Sequence, residues 1–143
     1  MKRLLIAAVV AVSSFSAQAA QVILFSCQTA EKEKVVALKD EDKGIYSFEL
    51  FKPNGQRGLH VEMAEQEMTL VRRYRNDGDV NSLIFTVGDI NYAVTVSGKG
   101  KDITGDAEVT RMGTEVYYSK CEPKTITHKL DNKAMIGKVS LID

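Results

Sequence analysis

With 143 residues, 19 of them basic and 19 acidic, the chain is long enough for one domain with a buried core and has no formal net charge. Affinity for phosphate backbones rests on an excess of Lys and Arg, so nucleic acid is excluded as the main partner. Two Cys, two His and no Trp leave little material for a metal centre or a sugar-stacking cleft.

The first element is Met1-Lys2-Arg3, an apolar run over 4–12, and small residues at Ala17 and Ala19. These are the three regions of a secretory signal peptide. Cleavage after Ala19 is expected to leave 124 residues, with 17 basic against 19 acidic side chains. The apolar run is far shorter than the roughly 20 residues a membrane-spanning helix requires, so no membrane span is expected. No Cys follows the run at the cleavage point, which argues against a lipid anchor. The mature domain, 20–143, is expected in the periplasm. There Cys27 and Cys121 pair as a structural disulfide across 94 residues. In the chain-entropy picture such a closure is worth roughly 4–5 kcal/mol.

The mature part reads as short strands separated by turn residues. Strands are predicted over 22–29, 34–39, 45–52, 58–63, 68–75, 83–87, 90–97, 106–112 and 114–121. The turns between them include Pro53-Asn54-Gly55-Gln56, Asn76-Asp77-Gly78-Asp79, Gly88-Asp89 and Gly98-Lys99-Gly100-Lys101. Strict alternation puts Tyr46, Phe48 and Leu50 on one face of their strand, and Ile90, Tyr92, Val94 and Val96 on one face of theirs. Beyond Glu122-Pro123 the pattern loosens. The tail, 123–143, is expected to hold an edge strand over 125–130, a short helical turn over 131–136 and a terminal strand over 139–142. Eight to ten short strands of this spacing predict an all-β domain, a single antiparallel sandwich or a small barrel.

Catalytic patterns are missing. His60 and His128 have no G-x-S-x-G elbow to serve, and the two thiols are expected to be consumed by each other. His60, inside Leu59-His60-Val61, reads as a surface or hydrogen-bonded histidine, and so does His128. The acidic groups Asp40-Glu41-Asp42 and Asp77-Gly78-Asp79 lack the spacing of a calcium loop and read as solvated turns. No catalytic residue, metal or cofactor is assigned, and the chain is not expected to be an enzyme. One segment stands out on charge: Arg72-Arg73-Tyr74-Arg75. Alternation sends Arg72 and Tyr74 to one face and Arg73 and Arg75 to the other. With Lys99 and Lys101 of the nearby basic loop, these residues are the candidate partner-binding surface. The alternative is a charged edge that resists edge-to-edge pairing.

Phe25-Ser26-Cys27-Gln28-Thr29, then Lys34-Val35-Val36, Gly44-Ile45-Tyr46-Ser47-Phe48, Phe85-x-x-Gly88-x-x-Asn91-Tyr92-x-Val94 and a closing Cys121 form a recognisable series. Over about 22–122 the chain resembles small exported immunity proteins of type VI secretion effectors, such as those directed against lysozyme-like VgrG effectors. The resemblance implies a periplasmic protein that binds a peptidoglycan hydrolase and occludes its active-site cleft. A carboxylate-lined cleft would be met by Arg, Lys and amide donors. Proteins of this kind are often dimers, so the resemblance also allows a homodimer in which the tail strand pairs across a two-fold axis. Three other functions suit the same composition: an inhibitor of host lysozyme, a small β-barrel carrier of an apolar ligand, and a pilin-like subunit.

Overall fold

Alternation of apolar and polar residues every two positions forces this chain into strands that bury one face each, and eleven form among the described residues. The computed structural model describes residues 21–132, 136 and 140–142. The expected signal peptide, 1–19, lies outside the described residues. The strands are β1 (Gln21–Gln28), β2 (Lys34–Asp40), β3 (Ile45–Phe51), β4 (Arg57–Ala64), β5 (Met68–Arg73), β6 (Asp79–Val87), β7 (Ile90–Lys99), β8 (Asp102–Arg111), β9 (Thr114–Lys120), β10 (Thr127–His128) and β11 (Ser140–Ile142). They divide into a five-stranded sheet, ordered β10-β1-β2-β3-β4, and a six-stranded sheet, ordered β11-β5-β6-β7-β8-β9. Each sheet keeps two edges, so the architecture is a sandwich and not a closed barrel. Among the described residues no helix is long and apolar enough to cross a membrane.

The inner faces meet along Phe25, Val35, Tyr46, Phe48 and Met63 from the first sheet and Met68, Leu70, Leu83, Phe85, Val94 and Val96 from the second. Phe48 and Phe85 touch edge to face across the interface, with ring centroids 5.9 Å apart. The expected alternation in β3 and β7 holds, because Tyr46, Phe48 and Val94 are fully buried and Leu50 and Tyr92 pack against the same cluster. A register shift between Ile23 and Phe25 interrupts the alternation in β1. It turns Leu24 and Phe25 both inward and leaves Ile23 exposed.

The sheets are clasped where β1 ends and β9 ends. Cys27 and Cys121 are bonded, their Cα atoms 5.7 Å apart. Next to them Thr29 and Cys121 form an antiparallel backbone bridge, and the Ala30 amide donates to the Lys120 carbonyl at 3.0 Å. The loop between β1 and β2 adds side-chain bonds to β9. The Tyr117 hydroxyl donates to Glu33 at 3.1 Å, the Ser119 hydroxyl donates to Glu31, and Lys32 pairs with Glu122. Burial, and then the nearby Glu33 carboxylate, push the Tyr117 hydroxyl up to about 12. The bond from Ser119 holds the Glu31 carboxyl below its ordinary value.

The tail is part of the sandwich. Only Thr127–His128 of the expected edge strand pairs with β1, but the Lys129 amide donates to the Leu24 carbonyl at 2.8 Å. Leu130 and Ile136 are fully buried, and the Tyr46 hydroxyl donates to the Ile136 carbonyl. The chain then lays β11 parallel to β5, Leu141 beside Leu70. An irregular sequence pattern therefore conceals a segment that touches both sheets, because single buried residues anchor it instead of a repeating stripe.

On the outer face of β8, burial and then the like charge of Glu108 raise the Asp106 carboxyl above its ordinary 3.8, while Lys120 partly opposes the shift. The native state thus holds this proton more tightly than the unfolded chain. The ionised form costs stability at neutral pH, and that cost is relieved as pH falls through the raised value. Asp106→Asn should therefore raise the unfolding temperature at neutral pH, and the gain should vanish below pH 3.8, where the acid is neutral in both states. Thermal unfolding followed by circular dichroism across pH checks both the sign and the window.

Candidate protein-interaction surface

A meander of antiparallel strands places alternate turns at the same end of its sheet. The β5–β6 turn and the β7–β8 turn are therefore neighbours, although about 25 residues separate them in sequence. Asp79 pairs with Gly98, and Lys99 pairs with Asp102 to close the β7–β8 hairpin. The Gly78 amide donates to the Arg75 carbonyl at 3.2 Å, which folds the β5–β6 turn back on itself. The two turns approach so closely that only glycine fits. A Cβ on Gly78 would lie 2.6 Å from the backbone of Gly98, and one on Gly98 would lie 2.3 Å from the Asp102 carbonyl. Both glycines also have left-handed φ angles, +129° and +108°.

This contact brings together five of the six residues that the sequence marks as a partner surface. Arg73, Tyr74, Arg75, Lys99 and Lys101 are exposed, Tyr74 by 69%. Among the described residues, no hydrogen bond or ion pair engages the side chains of Arg73, Arg75, Lys99 or Lys101. Asp77, Asp79 and Asp102 stand in the same turns and keep the cationic excess modest. The strand ends at Arg73, so Tyr74 leaves the sheet face that alternation assigned to it.

Arg72 is placed differently. It follows the buried Met68 and Leu70 on the inner face of β5, and its guanidinium donates to the carbonyls of Leu130 (3.4 Å) and Asp131 (3.2 Å). Its Nε is buried with no partner among the described residues. Arg72 thus fastens the tail and is not presented beside Arg73 and Arg75.

A second site went unmarked in the sequence. The outer face of β2, β3 and β4 carries a groove of about 580 Å³, floored by Leu38, Ile45 and Ser47. Glu49 and His60 are register partners on β3 and β4. One Glu49 oxygen meets His60 Nδ1 at 2.8 Å and Arg57 at 3.2 Å, while His60 Nε2 meets Glu62 at 2.8 Å. His60 is therefore a hydrogen-bonded histidine whose two ring nitrogens both face carboxylates and not a serine or a thiol. His128 accepts the Leu130 amide at 3.3 Å and caps the tail turn. Asp40 accepts the amides of Asp42 and Lys43, both at 3.1 Å, inside its own turn. The described residues hold no group of three or more His, Cys, Asp or Glu side chains arranged for a metal ion.

No protein-family model matches the chain, and no curated protein or solved structure matches it significantly.

The double-glycine contact sets the shape of the paired turns, and its removal should register in stability. Gly98→Ala should cost about 1–3 kcal/mol or more, the range for a residue forced into a sparsely populated conformation, with the clash against Asp102 added. Gly100→Ala, whose Cβ would meet nothing within 4 Å, should cost about 1 kcal/mol, through its φ of +62° alone. Urea unfolding of the two variants checks the order.

Proposed function

We propose that this is an exported protein-binding module that inhibits a peptidoglycan-degrading, lysozyme-like enzyme, with the paired β5–β6 and β7–β8 turns entering the enzyme's cleft. The observation that carries this reading is the convergence of Arg73, Tyr74, Arg75, Lys99 and Lys101 on two turns in direct contact, exposed and with no hydrogen-bond or ion-pair partners among the described residues. Charged side chains that are already paired gain little from a new contact. Unpaired ones held on a stiff scaffold lose little entropy on binding and can bond carboxylates directly. Arg and Tyr are also the residue types that dominate binding hot spots. Such a module protects periplasmic peptidoglycan, either as an immunity protein against a type VI secretion effector or as an inhibitor of host lysozyme. The two roles share one mechanism.

The interior favours this reading over carriage of an apolar ligand. Tyr46, Phe25, Phe48, Phe85 and Met68 fill the space between the sheets, and the groove of about 580 Å³ lies on an outer face.

A panel of muramidases, tested for cell-wall lysis with the oxidised protein added, should include one that is blocked at near one-to-one stoichiometry. Reversing the charges together, Arg73→Glu, Arg75→Glu, Lys99→Glu and Lys101→Glu, should weaken that block by about tenfold or more, equal to at least ~1.4 kcal/mol. Unimpaired lysis by every enzyme overturns the inhibitor reading. Unimpaired inhibition by the reversed variant overturns the placement on the turns.

A further inference from the structure

The groove on the first sheet has a composition that solvation alone does not explain. Outward positions of a solvent-facing strand ordinarily carry exposed polar side chains. Glu49 occupies such a position on β3 yet is only 9% exposed. Burying a carboxylate this far is costly unless it is fully partnered. Its partners reach one oxygen only: Arg57 and His60 both meet Oε1. No hydrogen bond from a described residue reaches Oε2, and that oxygen is not sealed from the groove that Glu49 lines.

The charges around it do not close. Asp40, Glu49 and Glu62 face the groove, against the fixed cations Lys43 and Arg57. Setting aside His60, whose ring lies between Glu49 and Glu62, one negative charge is in excess. The same groove offers half-buried aliphatic surface from Leu38 and Ile45, with Ser47 and Gln21 as further oxygen acceptors. An open carboxylate oxygen beside half-buried aliphatic surface is the complement of a long basic side chain, which buries its methylenes and keeps a charged, donor-only head.

We propose that this groove is a docking site for a single Arg or Lys side chain of a partner protein, its head bonded to Glu49 Oε2 and Glu62 and its stem lying on Leu38 and Ile45. The site is independent of the paired turns and does not rest on the hydrolase reading. The chemistry favours Arg, whose planar fork can bond two carboxylates at once.

The test uses the oxidised, ¹⁵N-labelled protein and three probes: the capped peptide Gly-Gly-Arg-Gly-Gly, the same peptide with neutral citrulline in place of Arg, and the free diamine putrescine. The Arg peptide should shift the amides of Leu38, Ser47, Glu49, His60 and Glu62 saturably, with millimolar affinity. The citrulline peptide should bind about tenfold more weakly or not at all, the loss of one charge-assisted contact of ~1.4 kcal/mol or more. Glu49→Gln, isosteric and still able to accept a bond, should abolish the difference between the two peptides. Glu62→Gln, on an exposed side chain, provides the same readout if the first variant fails to fold. Equal binding of both peptides, shifts outside the groove, or no saturable shift overturns the proposal. Tighter binding of putrescine than of the Arg peptide overturns it as well, because the occupant would then be a free diamine.

Discussion

One covalent bond and the backbone bridge beside it hold the two sheets in a single arrangement. Cys27 ends the inward face of β1, and Cys121 follows β9, the last strand of the long meander. Closing a separation of 94 residues removes much of the freedom of the unfolded chain, which is where such a bond acts most strongly. It also fixes the sheets where polar groups have to be buried. Thr29 and Ser119 are almost fully enclosed; the Thr29 hydroxyl accepts the Glu33 amide within the β1–β2 loop, and the Ser119 hydroxyl is satisfied by a bond to Glu31 that exists only while that loop lies against β9. Displacing that loop would strand the Ser119 hydroxyl, so the covalent and polar parts of the clasp reinforce each other.

Rigidity at the clasp reaches the paired turns through the second sheet. Strands β5 to β9 pair consecutively with nearly unbroken register, so a turn at one end is tied through whole strands to the sealed end of β9. The Gly78–Gly98 contact then joins the two turns directly. Turns joined this way present Arg73, Arg75, Lys99 and Lys101 on a backbone with little ordering left to do on binding. The groove of the first sheet differs in kind. It carries a buried carboxylate and suits a basic partner group, whereas the turns carry a modest excess of basic side chains. Two surfaces of opposite character on different sheets allow a partner to be recognised by more than one contact, and each can be tested alone.

Much of the fold was legible in the sequence because strand signals are local. Alternation in β3 and β7, Asn-Gly and Gly-Asp turns, and the two widely spaced cysteines each state their structure without reference to distant residues. The tail was less legible, since Leu130 and Ile136 are single anchors whose partners lie far back in the chain. Alternation correctly assigned Arg72 to the opposite face from Arg73. It could not tell that this face was the inner one, because the deciding contact is with carbonyls 58 and 59 residues further on. The convergence of the two basic turns followed from meander topology, which becomes visible only when consecutive hairpins are laid side by side. Glu49 gave no signal at all: a glutamate in an alternating strand reads as exposed, and its burial comes from His60 and Arg57 across the register.

The dependence of the whole structure on the clasp is tested most directly by urea unfolding of the oxidised protein against a Cys27→Ser, Cys121→Ser double variant. The variant should lose about 2–5 kcal/mol, the range for removing a native disulfide from a small domain. An unchanged midpoint and slope would contradict the account, and would mean that the inner faces and the tail hold the sheets together without the bond.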